Sequence, residues 1–102
     1  MRTDGPERAN PLHSLVVHGD LDLASAQRFE DRVRDLLDDG AMVIVADVSD
    51  VNFVDSAGLR SLIHVDQLAE ERDAVVQLVG LTPATRRLLE LSGLIDRLRV
   101  EP

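Results

Sequence analysis

The residues of this chain best suited to chemistry are one serine and the acids that lead up to it. Ser56 stands in the stretch NFVDSAGLRSL, residues 52–62, where an apolar strand runs into an amphipathic helix. A hydroxyl at such a junction can cap the helix, attack an electrophile or accept a modification. As a cap it would satisfy amide groups that the first helical turn leaves without partners. As a nucleophile it would need a hydrolase elbow, with Gly two residues to either side, and a base to take its proton. Gly58 fills the second of those positions, but Val54 stands in the first. His13, His18 and His64 have no distinctive sequence relation to Ser56 and no metal-ligand spacing. Gly80 stands alone before LTPATRR, so no Gly-rich phosphate cradle is present. The expectation is a protein that is not an enzyme, with no catalytic residues, no metal site and no cofactor.

Five acids surround this motif in the sequence. Asp20 and Asp22 follow the first expected strand, Asp47 and Asp50 follow the second, and Asp55 precedes Ser56. In a parallel sheet all of them gather at the carboxyl ends of the strands, where open α/β folds place their sites. Two readings stay open. Asp favours loops and helix starts in any protein; alternatively the acids form a face around the hydroxyl, one able to hold Mg²⁺ only weakly without a substrate phosphate.

The elements that must position these residues follow from periodicity. Residues 1–11, MRTDGPERANP, offer almost nothing to bury and read as a mobile leader; the domain spans 12–102. LHSLVVHGD from Leu12 reads as a strand closed by Gly19. Residues 24–39 place Ala26, Phe29, Val33, Leu36 and Leu37 on one helical face, with Gly40 ending the helix. MVIVADV, residues 42–48, is short and nearly all apolar, as a strand covered on both faces should be. A second helix covers about residues 57–72, with Leu59, Leu62, Ile63, Leu68 and Ala69 inward, and VVQLV, residues 75–79, is the next strand. Thr82 and Pro83 open a third helix in which Leu88, Leu89 and Leu91 pack and which ends at Gly93; RLRV, residues 97–100, is a last short strand. Strands alternating with helices predict right-handed crossovers and a mostly parallel sheet.

Composition removes several functions. The chain has 102 residues, a net charge of −8 and no Cys; its only aromatic residues are two Phe. Its acidity repels phosphate backbones and anionic lipid surfaces, and stacking platforms for single strands are missing, so direct nucleic-acid binding is excluded. No apolar run reaches the length of a membrane span, which predicts no membrane insertion and a cytoplasmic address.

Several motifs in order resemble the STAS family, named for sulfate transporters and anti-sigma factor antagonists. They are GDLD at residues 19–22, VIVADVSDVNFVDSAGL at 43–59 and LTPATRRLLELSGL at 81–94, within a match over residues 12–100. The resemblance implies a single α/β domain of right-handed strand-helix turns. Its mostly parallel or mixed sheet would have about four to five strands, with about three to four helices. It implies action by binding. In the anti-anti-sigma branch the unphosphorylated protein binds an anti-sigma factor and frees the sigma factor; the anti-sigma factor, a serine kinase, phosphorylates the Ser of DSAGL, and a serine phosphatase restores it. By that match Ser56 is the phosphoacceptor, and Asp20, Asp22, Asp55, Ser56, Ala57, Gly58 and Leu59 form the partner-binding face of a monomer or weak dimer. Stand-alone members also serve as scaffolds of stress-signalling complexes and as subunits of lipid-transport machines. The family commonly adds a strand before the one ending at Gly19, where the leader is a poor strand former, so that edge of the sheet is expected to lie open.

Overall fold

The computed structural model describes residues 11–101. The expected leader lies outside the described residues apart from Pro11, whose carbonyl accepts hydrogen bonds from the Met42 and Val43 amides at 2.8 and 3.0 Å. The elements alternate: β1 (Leu12–Val16), α1 (Leu23–Asp38), β2 (Val43–Asp47), α2 (Ser56–Glu70), β3 (Val75–Val79), α3 (Pro83–Leu91) and β4 (Arg99–Val100). The four strands form one sheet in the order β1-β2-β3-β4, every pair parallel. A sheet wound steadily in one direction by right-handed crossovers carries its helices on one face. The core confirms this, because Phe29, Val33 and Leu37 of α1, Leu62, Val65 and Ala69 of α2 and Leu89 of α3 join Leu15, Ile44, Ala46, Val76 and Leu78 in one cluster.

That winding corrects one expectation. In β2, Ile44 and Ala46 are fully buried, but Val43, Val45 and Asp47 on the opposite face are only half-buried. The apolar run is therefore not covered on both faces by the described residues. Leu91 corrects another: it is 74% exposed, because it lies more than half a turn beyond Leu89, which faces the core. Leu94 and Leu98, just after the helix, fill the space instead. Strand β1 stops at Val16, short of Gly19, although the Val17 amide still donates to the Asp47 carbonyl at 2.9 Å. Helix α2 starts one residue earlier than expected and ends at Glu70, two residues sooner.

The two helices nearest the serine are joined by their side chains as well as by the core. His64 Nδ1 and Glu30 Oε1 lie 2.7 Å apart across α1 and α2. His13 is half-buried within β1, and His18 is exposed.

Candidate functional site

Ser56 is exposed and is the first residue of α2 rather than its cap. Asp55 caps the helix in extended backbone, its Oδ1 accepting from the Gly58 amide at 2.9 Å. The capping role open to Ser56 on sequence therefore falls to its neighbour, and among the described residues nothing hydrogen-bonds the Ser56 hydroxyl. Carboxylate and hydroxyl differ here in reach and charge: the anion of Asp55 sits where the helix dipole favours it most. Ser56 is left with a free oxygen at the rim.

Two loops are welded together beneath that oxygen. Leu21 and Val54 form an isolated parallel bridge, with the Leu21 amide donating to the Phe53 carbonyl at 2.9 Å and the Asp55 amide donating to the Leu21 carbonyl at 3.2 Å. The loop after β1 thus runs beside the loop after β2, which brings Asp20 and Asp22 to the same rim as Asp55 and Ser56. The weld depends on Gly58. A β-carbon there would collide with the Leu21 carbonyl oxygen and lie 2.8 Å from Val54 Cγ1.

The acids at this rim are mostly engaged in holding backbone. Asp22 caps α1 in a reciprocal box: its Oδ1 accepts from the Ser25 amide at 3.0 Å while the Ser25 hydroxyl accepts from the Asp22 amide at 2.9 Å. The Ser25 amide, and after it the Ser25 hydroxyl, hold the Asp22 carboxyl below its ordinary value; Arg28 adds a smaller pull. The Asp47 carboxylate is likewise lowered, by the Ser49 hydroxyl and then its amide. Asp50 Oδ2 accepts from the Gly19 amide at 2.9 Å. Of the two readings of the acids, loop and helix-start duty describes Asp22, Asp47, Asp50 and Asp55, whereas the Asp20 side chain has no such bond among the described residues. No group of three or more His, Asp or Glu among the described residues is arranged to hold a metal ion.

Of the residues expected on the face, Asp20, Asp22 and Ser56 are exposed and Asp55 and Ala57 half-exposed. Gly58 is buried, and Leu59 packs against the core. Those two shape the face from behind. Two exposed apolar residues not expected from sequence stand near these acids: Phe53 is 58% exposed and Leu23 is 75% exposed, each two residues or fewer from the acids that cap the helices. At α3, the Thr82 and Thr85 hydroxyls both donate to the Val51 carbonyl, at 3.1 and 3.0 Å, and so fix the far end of the serine loop.

This fold and this loop arrangement accompany a match of residues 8–100 to the family described as Mlab, STAS domain. The chain belongs to the STAS domain family. Among its STAS relatives, the anti-sigma-B factor antagonist of Staphylococcus aureus (strain NCTC 8325 / PS 47) is 25% identical over 89 residues, covering 87% of this chain and 82% of the relative. The crystal structure of an anti-sigma factor antagonist from Mycobacterium paratuberculosis superposes with a TM-score of 0.77 at 27% identity, over 94% of this chain and 81% of that one. The STAS domain of a SulP transporter from Vibrio cholerae shares the fold, with a TM-score of 0.74 at 21% identity over 93% of this chain and 76% of that one. Among the described residues no helix is long and apolar enough to cross a membrane.

Proposed function

We propose that this STAS domain is an anti-sigma factor antagonist: unphosphorylated, it binds an anti-sigma factor and so releases a sigma factor, and phosphorylation of Ser56 ends the binding. One observation carries the reading. The Ser56 hydroxyl is exposed and unbonded at the helix start while Asp55 does the capping, so a kinase can reach the oxygen without dismantling α2. The γ-phosphoryl of ATP would pass to Ser56 Oγ, the hydroxyl proton would go to a base of the kinase, and ADP would leave. The anti-sigma factor itself would be that kinase, and a serine phosphatase would reverse the step.

The mechanism is a change of surface. Phosphate adds about −1.5 to −2 charge between Phe53, Leu23 and the acids of the rim, so a partner seated there loses its fit and meets repulsion. The test is to incubate the chain and Ser56→Ala with candidate anti-sigma kinases and ATP, and to map phosphate by mass spectrometry. Phosphate on Ser56, together with a Ser56→Ala variant that still binds the anti-sigma factor, is the expected result. Equal phosphorylation of the variant, or its failure to bind while folded, would overturn the assignment.

A second reading, a subunit of a transport or signalling assembly, draws support from the description of the matching family and from the SulP domain that shares the fold. In that role the same rim would bind its partner constitutively, and no kinase would modify Ser56.

A further inference from the structure

Helix α1 carries two arginines that the chain leaves unpaired. Acids outnumber basic residues in this protein, 19 Asp and Glu against 11 Lys and Arg, so an arginine without an acid partner is unexpected. Arg34 and Arg72 pair with Asp31 and Asp38, whereas Arg28 and Arg32 form no ion pair among the described residues. The nearby Asp22 does not engage Arg28: its Oδ1 accepts from the amide and the hydroxyl of Ser25, at 3.0 and 3.1 Å. Arg32 donates from Nη1 to the Val16 carbonyl at 3.3 Å. Each guanidinium has five N–H donors, so most of the donors here lack a protein acceptor.

Both arginines line a groove of about 190 Å³ between α1 and β1. Its floor is apolar, formed by the buried side chains of Leu15, Val17 and Phe29. Arg28 and Arg32 are four residues apart, neighbours on the helix surface and about 6 Å apart along its axis, so both guanidinium groups can reach one anion. The groove therefore pairs a cationic mouth with an oily floor. Its size limits what can enter. An apolar cavity of about 150 Å³ takes up a benzene ring, so 190 Å³ holds about six to eight carbon atoms and excludes a nucleotide. Charge limits it further, because Asp22 at the start of α1 opposes a dianion more than a monoanion.

We propose that this groove binds a small amphiphilic monocarboxylate, an aliphatic or aromatic acid of about six to eight carbons. Its apolar body lies on Leu15, Val17 and Phe29, and its carboxylate accepts hydrogen bonds from Arg28 and Arg32, whose planar forks match the two oxygens. The carboxylate stays at the mouth, where it keeps part of its water, while the tail leaves water for the floor. No backbone group of β1 takes part, and Val16 keeps its bond to Arg32. The site does not contain Ser56 and does not depend on the switch proposed for it.

The test is an NMR titration of the isotope-labelled full chain with hexanoate and with benzoate, at neutral pH and constant ionic strength so that screening does not change. Shifts are expected at the Val17 methyls, the Phe29 ring and the Nε–H groups of Arg28 and Arg32. Hexanoate should bind about tenfold or more tightly than acetate, which lacks the tail, and hexanol, which lacks the charge. The double variant Arg28→Gln/Arg32→Gln should lose about tenfold or more in hexanoate affinity. Gln forms helix about as well as Arg, and both positions are exposed, so the variant should melt close to the wild type. Should the double variant fold poorly, Arg28→Gln and Arg32→Gln singly make the same test, each with a severalfold loss. The proposal would be overturned by no shift at Val17 or Phe29 with either acid at tens of millimolar, by acetate or hexanol binding as tightly as hexanoate, or by unchanged hexanoate affinity in the Gln variants. Contacts in the free protein from the Phe29 ring to residues 1–10 would also overturn it, since the chain itself would then fill the groove.

Discussion

Replacing Gly58 by Ala tests whether the weld between the two loops depends on close approach. On helix propensity alone the change should stabilise α2 by about 0.8–1 kcal/mol, since Gly is the weaker helix former and Gly58 is helical. The tertiary structure reverses the sign. The new methyl collides with the Leu21 carbonyl oxygen, a backbone atom that no rotamer change can move, and comes within 2.8 Å of Val54 Cγ1. Overpacking of this kind costs about 1–3 kcal/mol. Relieving it by parting the loops sacrifices the 3.2 Å bond from the Asp55 amide to the Leu21 carbonyl, worth about 1 kcal/mol more. Set against the propensity gain, the net expectation is a loss of about 1–3 kcal/mol. In a domain of this size each kcal/mol lowers Tm by about 4–8 °C. Urea and thermal melts of the two proteins measure it, and the ¹⁵N shifts of Leu21, Val54 and Asp55 should move with the loops. A Gly58→Ala protein as stable as the wild type, or more stable, would refute the close-approach argument and leave propensity in control.

Ser56→Asp should unfold within about 1 kcal/mol of the wild type, because a charge at the exposed first helical position gains from the helix start about what neighbouring Asp55 takes away. Its affinity for the anti-sigma factor should nonetheless fall at least about tenfold by titration calorimetry; unchanged affinity on true phosphorylation of Ser56 would defeat the surface switch. Asp55→Ala removes the cap from the Gly58 amide and should cost about 0.5–2 kcal/mol in a denaturant melt, whereas Ser56→Ala, which caps nothing, should cost a few tenths or less. Asp22→Asn retains a good cap without a titrating charge, so it isolates the pH effect. The Asp22 carboxyl is lowered in the folded state from 3.8, so its ionised form stabilises above that pH and the contribution is lost as pH falls from there through the lower folded value. Melts across the acid range should show the wild type losing stability relative to Asp22→Asn only below about pH 4, and a constant difference would contradict the assignment.

Local sequence signals determined the order and kind of the elements. VVQLV gave β3 with its observed ends, and Thr82 followed by Pro83 marked the start of α3, because strand alternation and cap chemistry are properties of a few adjacent residues. Phe29, Val33 and Leu37 were legible as core for the same reason: a helix of fixed pitch puts them on one face. The DSAGL stretch likewise marked the junction at which α2 begins. Which residue of that stretch does what was settled only by contacts between distant parts of the chain. Asp55 rather than Ser56 caps α2, Gly58 is needed for the Leu21 carbonyl rather than for any turn, and Leu91 faces out while Leu94 and Leu98 return to the core. The groove wall of Arg28 and Arg32 between α1 and β1 was not foreseen, since on sequence alone two arginines a turn apart are indistinguishable from a solvated face. Periodicity is written into neighbouring residues, whereas the Leu21–Val54 pairing joins segments that meet only after α1 and β2 have packed, and no local pattern encodes where two loops will touch.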